Sequence, residues 1–526
     1  MKKSLLTYLF LCFTIALWGQ QPPFQTHLYK VTETLQNFTK EINEASEASP
    51  LHFHARAYNL QKKLSEFPSE TGYQWTLSAP QFGIRVFLEA DIPFGDTLFV
   101  LDENKAKREY LTFDRLMQKK WNSRVYHHSV ILSYKGKNAP NVSISHYSLE
   151  KLNPVKKKAA DFGDSKPCEV NVNCSEGANY QDVKNALARI LIKQGPNYSW
   201  CTGTLLNNTG YTFEPYLLTA EHCGLKGNNI VSSQDLEEWV FYFNYESPDC
   251  SNPATEGFLD SNRITGATII ARSDDGGGND GSDFLLLKLM NPVPASFHPY
   301  YAGWIRANQA PQKGVVLHHP EGDIKKISTY GSPATSDTYN TIPGTHWAVN
   351  WTATTNGHGV TEFGSSGSPL FDTQGLVVGT LTGGGASCSA PQYADYFGKL
   401  SYHWNENGTT SNRKLQNWLD PAGTGTLALG GSYQTDTVVP LNFDFVYGPN
   451  PVSTGVLMLN GLGKSTEIVT VSIFNTQGKL MYHKELVPVP GVKLEIDVSK
   501  WRNAMYTLQL KNKKGSHERK LLITNP

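Results

Sequence analysis

The sequence predicts an all-β fold divided among several domains. The chain of 526 residues exceeds what one hydrophobic core spans, short β-type patterns punctuated by Gly and Pro recur through most of it, and helical periodicity is confined to brief stretches.

The chain opens with Lys2 and Lys3, runs largely apolar from position 5 to 18 and continues into Gly19-Gln20. This is the layout of a secretory signal peptide over residues 1–20, removed on export, because the apolar run is shorter than the roughly 20 residues a spanning helix needs. Cys12 leaves with it. The six remaining cysteines, Cys168, Cys174, Cys201, Cys223, Cys250 and Cys388, form an even set in an exported chain, where oxidising conditions favour bridges. Spacing alone leaves 15 pairings open. No CxxC pair with zinc-ligand spacing occurs, so neither a metal nor another cofactor is expected. Lys plus Arg and Asp plus Glu both number 47, without a long block of like charge, which argues against nucleic acid or anionic lipid as a partner.

Residues 21–160 read as a separate small α+β domain, with helical patterns at 31–42 and 54–67 and strand alternation at 82–89 and 97–101. It ends near the basic run Lys156-Lys157-Lys158, where a Lys- or Arg-directed protease would cut an exposed linker. Residues 161–422 hold all the mature cysteines. Here strands are expected at 200–206, 216–219, 239–245, 268–271, 284–289, 315–318, 346–351, 376–381 and 396–404, the pattern of a β-barrel or sandwich. A short helix at 413–419 places Leu415, Trp418 and Leu419 on one face before Pro421 stops it. A linker at 423–440, Gly-rich at its start, leads to residues 441–526, where five strands at 468–474, 479–486, 493–498, 506–510 and 520–523 suggest a small Ig-like β-sandwich for carriage or binding.

Three residues carry candidate chemistry. His222, in Thr219-Ala220-Glu221-His222-Cys223, follows an apolar strand. Ser366, in Gly364-Ser365-Ser366-Gly367-Ser368-Pro369, sits in a Gly-flanked turn where its hydroxyl is unshielded and the N–H groups of Gly364 and Ser366 can converge as an oxyanion hole. A serine hydroxyl becomes a competent nucleophile when a neutral His, held by a buried carboxylate, takes its proton. Asp283, opening the apolar run Phe284-Leu285-Leu286-Leu287, suits the role of that carboxylate. Alone, each residue has a structural explanation; together, in the order His, Asp, Ser, they form a catalytic constellation.

The segment 168–421 resembles the bacterial lysyl endopeptidases, secreted serine proteases of the chymotrypsin fold. The matching pieces are Cys201-Thr202-Gly203-Thr204-Leu205, Leu218 to Gly224, Ser282-Asp283-Phe284, His318-His319-Pro320, Gly364 to Pro369, Ser387-Cys388-Ser389-Ala390 and Trp418-Leu419-Asp420-Pro421. The resemblance implies a double β-barrel, bridges Cys168 with Cys388, Cys174 with Cys250 and Cys201 with Cys223, and a propeptide before Cys168. It also implies that Asp395 lies at the base of a pocket for the substrate lysine, beside Trp351, with Thr382, Gly383 and Gly384 lining the entrance. Protein or peptide substrates follow. The C-terminal segment, from Tyr447-Gly448-Pro449-Asn450-Pro451 to Lys520-Leu521-Leu522-Ile523-Thr524, resembles the sorting domain of the type IX secretion system, which implies the secretion machinery as partner and a secreted or cell-surface location. A monomer is expected.

The chain also departs from these patterns. Where trypsin-like enzymes keep an Asp before the nucleophile, Ser365 stands, so activation cannot use that ion pair. Six residues before Ser366, at the usual place of the pocket acid, is Val360. A family His that stacks on the Trp is Thr382 here, so discrimination of Lys from Arg is expected to be looser. His318 and His319 are adjacent on a strand, face opposite ways and read as structural. The loop from Asp274 to Asp280 lacks the spacing of a known calcium loop and reads as solvated. Competing functions are a non-catalytic secreted binding protein or adhesin on the same fold, and a serine esterase.

Overall fold

The computed structural model describes residues 28–31, 33–47, 51–69, 72–93, 95–112, 120–137, 139–151, 163–253, 261–434, 446–460, 468–475, 480–486, 493–512 and 515–525. The signal peptide, the Lys156–Lys158 run and the end of the 423–440 linker lie outside them.

Two barrels occupy the middle of the chain. In the first, Leu187–Gln194 turns at Gly195 (φ +61°) into Asn197–Leu205, which pairs with Tyr216–Thr219, then Leu285–Leu289, then Ala267–Arg272. The ring closes because Arg263–Thr265 continues through Gly266 into Ala267–Arg272 and pairs with Val240–Phe243, itself paired to Leu187–Gln194. Closure leaves no free edge around the ring, so alternate apolar residues such as Ile190, Leu217, Phe241 and Leu287 all point into one core.

The second barrel runs through Lys326–Tyr330, Gly314–His318, Pro369–Asp372, Val377–Gly384, Asp395–Lys399, His346–Val349 and Thr335–Asp337, each hydrogen-bonded to the next. Its core holds Val316, Tyr330, Trp347, Trp351, Val360, Leu370, Leu381 and Phe397. Thr352 N–H donates to Thr329 O at 2.8 Å and joins the two ends of the ring. Thus the chain carries the expected chymotrypsin-like double barrel.

Three bridges tie it down: Cys168–Cys388, Cys174–Cys250 and Cys201–Cys223, the pairing the resemblance implied.

The expected strand at 396–404 is only half a strand: Asp395–Lys399 gives way to the helix Leu400–Asn405, which buries Leu400, His403 and Trp404 on its inner face. The short helix near the end is Gln416–Leu419, with Leu415 and Leu419 buried.

The N-terminal segment differs more from expectation. The first helix is Leu35–Glu47, anchored by buried Phe38 and Ile42. The helix expected at 54–67 is instead the strand Ala55–Lys63 followed by a 3-10 turn, Leu64–Glu66. Its pairing with Asn141–Lys151 shifts register between Asn59 and Lys62, and Gln61 has φ +53°. This bulge breaks the two-residue alternation, and the interrupted pattern mimics a helical period. Nor is the segment structurally separate. Arg56 and Ala55 pair with Asn197 and Tyr198 of the first barrel, placing the long strand Gly72–Asp91 and its neighbours in one continuous sheet with that barrel.

The C-terminal segment is a sandwich of a three-stranded sheet (Val446–Gly448, Val456–Asn460, Leu494–Asp497) and a four-stranded one (Leu480–Leu486, Val469–Asn475, Ala504–Asn512, Gly515–Ile523) around its own core. Among the described residues, no helix is long and apolar enough to cross a membrane.

Candidate active site

His222 lies in a 3-10 turn, Glu221–Gly224, that leaves the strand Tyr216–Thr219. The Cys201–Cys223 bridge fastens that turn to the neighbouring strand. Asp283 sits just before Leu285–Leu289, fully buried and in the left-handed region at φ +60°. For a non-glycine residue this conformation is costly and persists where surrounding bonds enforce it. They do so here: Asp283 N–H donates to Asp275 Oδ2 at 2.8 Å, and Asp283 O accepts the Glu221 N–H at 3.2 Å. The strained backbone aims the carboxylate at the histidine. Asp283 Oδ2 lies 2.7 Å from His222 Nδ1, and Asp283 Oδ1 accepts the His222 main-chain N–H at 2.9 Å.

Burial works against the charged imidazolium, yet the neighbouring Asp283 carboxylate and its hydrogen bond outweigh it and raise the His222 pKa above its ordinary value. The same burial pushes Asp283 upward against the pull of His222. Because Nδ1 donates to the carboxylate, the neutral ring has its free lone pair on Nε2.

Ser366 lies between Gly364 (φ +86°) and Gly367 (φ +80°). A Cβ on Gly367 would come within 2.1 Å of Thr219 Oγ1 and 2.5 Å of Thr202 O, so only glycine lets this turn of the second barrel press against the histidine-bearing loop of the first. Thr202 completes the clamp: its N–H donates to Ser366 O at 2.8 Å and its hydroxyl to Gly364 O at 2.9 Å. Both carbonyls are thereby turned away. Among the described residues, the N–H groups of Gly364 and Ser366 have no protein acceptor.

His222 and Ser366 line one cleft of about 650 Å³ between the barrels. Thr382, Gly383 and Gly384 line it too. Asp395 and Trp351 stand one layer behind the wall. Asp395 is 1% exposed and accepts Trp351 Nε1 at 2.7 Å and Thr361 Oγ1 at 2.7 Å on Oδ2 and Ala386 N at 3.1 Å on Oδ1, with the Thr361 main-chain N–H also acting on the carboxylate. A carboxylate has about four acceptor positions, so Oδ1 keeps room for one more donor. A Cβ on Gly384 would lie 2.1 Å from that Oδ1, and its absence opens the path from the cleft. Burial raises the Asp395 pKa despite the bonds from Thr361, Trp351 and Ala386.

Several contributors were not legible in the sequence. Glu221, fully buried, accepts from Arg272 Nη1 (2.7 Å), Ser273 Oγ (3.1 Å) and the N–H groups of Asp274, Asp275 and Gly277, and so ties the His222 turn to the loop that holds Asp283. That loop, read as solvated, is half of the site's scaffold: Asp275 is buried, and only part of the loop, including Asp274 and Asp280, is exposed. His318 Nδ1 contacts Ser365 Oγ at 2.8 Å and Nε2 contacts Ser328 Oγ at 3.0 Å, a buried chain that steadies the Ser366 turn where an Asp ion pair is absent. Burial lowers the His318 pKa to about 3, so the ring is neutral. His319 donates from Nδ1 to Asp323 O at 2.9 Å. The place of the missing family His is also supported: His346 Nε2 lies 3.0 Å from Thr382 Oγ1. Among the described residues no group of three or more His, Cys, Asp or Glu side chains is placed to hold a metal ion.

Residues 162–398 match the family profile described as lysyl endopeptidase, C-terminal domain. Residues 446–524 likewise match the secretion system C-terminal sorting domain. The chain is 31% identical over 256 residues to a lysyl endopeptidase of Pseudomonas aeruginosa, covering 46% of this chain and 50% of that protein. It therefore spans about half the length of that curated relative. Among solved structures, a thermostable serine protease from an extremophilic microorganism shares 13% identity, 46% coverage of this chain, 99% of the other and a TM-score of 0.32. The protease Anisep from Arthrobacter nicotinovorans shares 15% identity, with 41% and 90% coverage and a TM-score of 0.30. The matched central segment thus holds His222 and Ser366 on its inter-barrel cleft with Asp283 behind His222, and the segment that matches the sorting domain follows on its C-terminal side.

Proposed function

We propose that this protein is a secreted serine endopeptidase that cleaves peptide bonds after lysine, with His222, Asp283 and Ser366 as its catalytic triad. The observation that carries the reading is the two-point hold of Asp283 on His222 within the cleft that Ser366 also lines.

In this mechanism Ser366 Oγ attacks the scissile carbonyl carbon while His222 Nε2 takes its proton. Negative charge moves to the carbonyl oxygen, where the Gly364 and Ser366 N–H groups receive it without first breaking protein hydrogen bonds. His222 then protonates the leaving amine, and an acyl-enzyme on Ser366 remains. Water, deprotonated by the same Nε2, hydrolyses that ester and restores the serine. Asp283 stays ionised throughout and stabilises the imidazolium.

Selectivity follows from Asp395. A lysine ammonium reaching past Gly384 meets the open position on Oδ1, whereas an uncharged side chain leaves a buried carboxylate unpaired and is rejected. Maturation is proposed to occur in the basic run ending at Lys158, with self-cleavage releasing the covalent link to the N-terminal segment, and the sorting domain engages the secretion machinery.

Mapping by mass spectrometry every cut the purified protein makes in a denatured proteome tests this reading. Cuts concentrated after Lys, with Arg a weaker second, are expected. Absence of cleavage, or cuts indifferent to the preceding residue, would overturn it.

A further inference from the structure

Opposite the strand Val377–Gly384, a tyrosine stands in the cleft wall that the triad does not use. Tyr339 belongs to the connection between Thr335–Asp337 and His346–Val349, and it lines the same cleft as His222 and Ser366. Its hydroxyl stands 3.0 Å from the point where a Cβ on Gly383 would be. The ring therefore occupies space that a side chain at position 383 would otherwise fill.

The opposite edge of the ring meets the triad scaffold. A Cβ on Gly278 would lie 3.5 Å from Tyr339 Cδ1 and 3.2 Å from Asp283 Cβ, while one on Gly277 would lie 2.9 Å from His222 Cβ. Gly383 and Gly278 thus flank one aromatic ring between the substrate-binding strand and the triad scaffold, and Gly277 lets the same loop close on His222.

The ring is also fixed in place. It packs on His346 with centroids 5.2 Å apart and edge-on to Tyr396 at 5.6 Å. Its loop is tied to the first barrel: Thr341 N–H donates to Asn279 O at 3.3 Å, and Asn340 Nδ2 to Asn279 Oδ1 at 3.1 Å. Half-exposed and held from behind, Tyr339 presents an apolar face to the cleft without needing to reorganise.

A substrate laid as a strand along Thr382–Gly384 sends its lysine toward Asp395, and by the alternation of a strand the preceding residue points to the other side. That side is bounded by His222, Gly277 and Tyr339. We propose that Tyr339 is a specificity-determining residue, forming the apolar wall that receives the substrate side chain immediately before the cleaved lysine and favouring aliphatic residues there. This rests on the endopeptidase reading above and adds a second recognised position to it.

The test uses the mature enzyme and two chromogenic peptides that differ only in having Leu or Gly before the terminal Lys. The expected result is a kcat/KM about tenfold higher for the Leu peptide in the native enzyme, falling to near the Gly value in Tyr339→Ala and retained in Tyr339→Phe, with the Gly peptide little changed in all three. An unchanged ratio of Leu to Gly in Tyr339→Ala, with normal turnover of the Gly peptide, overturns the wall and leaves the endopeptidase intact. Failure of the native enzyme to cleave either peptide overturns the underlying function instead. Should Tyr339→Ala misfold, the Tyr339→Phe and Tyr339→Ser pair supplies the comparison: equal Leu-to-Gly ratios in these two variants count against the proposal.

Discussion

Asp283 holds His222 at two points, 2.7 Å to the ring Nδ1 and 2.9 Å to the main-chain N–H, one through each carboxylate oxygen. One bond fixes the tautomer and the other fixes the loop. Asp283→Asn keeps the shape but can present an amide N–H to Nδ1, which turns the ring so that Nε2 carries the proton. We expect kcat to fall by about four orders of magnitude with little change in thermal stability. A loss below about tenfold in the folded variant would show that Asp283 does not orient the base.

The pH dependence has a defined sign. The general base must be neutral, and Asp283 raises the His222 pKa against the effect of burial. Activity is therefore lost as pH falls through a value above the ordinary His pKa of about 6.5. A kcat/KM profile on a Lys substrate whose acid limb lies above that value is expected; a plateau already complete near pH 5.5 would contradict the coupling.

The three candidate residues were legible because each interrupts a strong local pattern. His222 and Asp283 flank apolar strands, and Ser366 lies among small residues that no strand or helix prefers. Short strands between turn residues pointed to a barrel or sandwich, and the family resemblance alone implied two barrels. What could not be read was longer in range. Glu221 looks like an ordinary turn acid until Arg272 and four further donors converge on it from a loop some fifty residues away. His318 and Ser365 are 47 positions apart, and only folding shows that they touch. The strand Ala55–Lys63 was mistaken for a helix because a bulge breaks its alternation, and Leu400–Asn405 for a strand because Leu400 and Trp404 continue an apolar run.

Glu221 supplies a prediction for stability. It is fully buried and its Arg272 partner is 27% exposed. Glu221→Ala strips five donors of this acceptor, leaving several loop N–H groups unsatisfied while Arg272 keeps Asp274 as partner, and should cost on the order of 3 kcal/mol. Urea unfolding of the Ser366→Ala background, which cannot digest itself, measures this. A change under about 1 kcal/mol would mean that water satisfies the loop and that Glu221 is dispensable.

Under the proposed function, Asp395 governs charge selection at the cleaved residue. Asp395→Asn keeps the size and an acceptor for Trp351 or Thr361 but removes the anion. Discrimination between Lys and Leu substrates should shrink by at least about a hundredfold in kcat/KM, through loss of the Lys reaction rather than gain of the Leu one. An unchanged preference would place the specificity acid elsewhere.

Active-site labelling decides most directly whether Ser366 is the nucleophile that His222 activates. A fluorophosphonate reacts with a serine only when a neighbouring base takes its proton and an oxyanion hole receives the phosphonyl oxygen. Incubation of the mature protein, followed by peptide mapping in a mass spectrometer, should find one adduct, on Ser366, and none in His222→Ala. No adduct on the folded native protein, or an adduct on another serine that persists in His222→Ala, would contradict the triad.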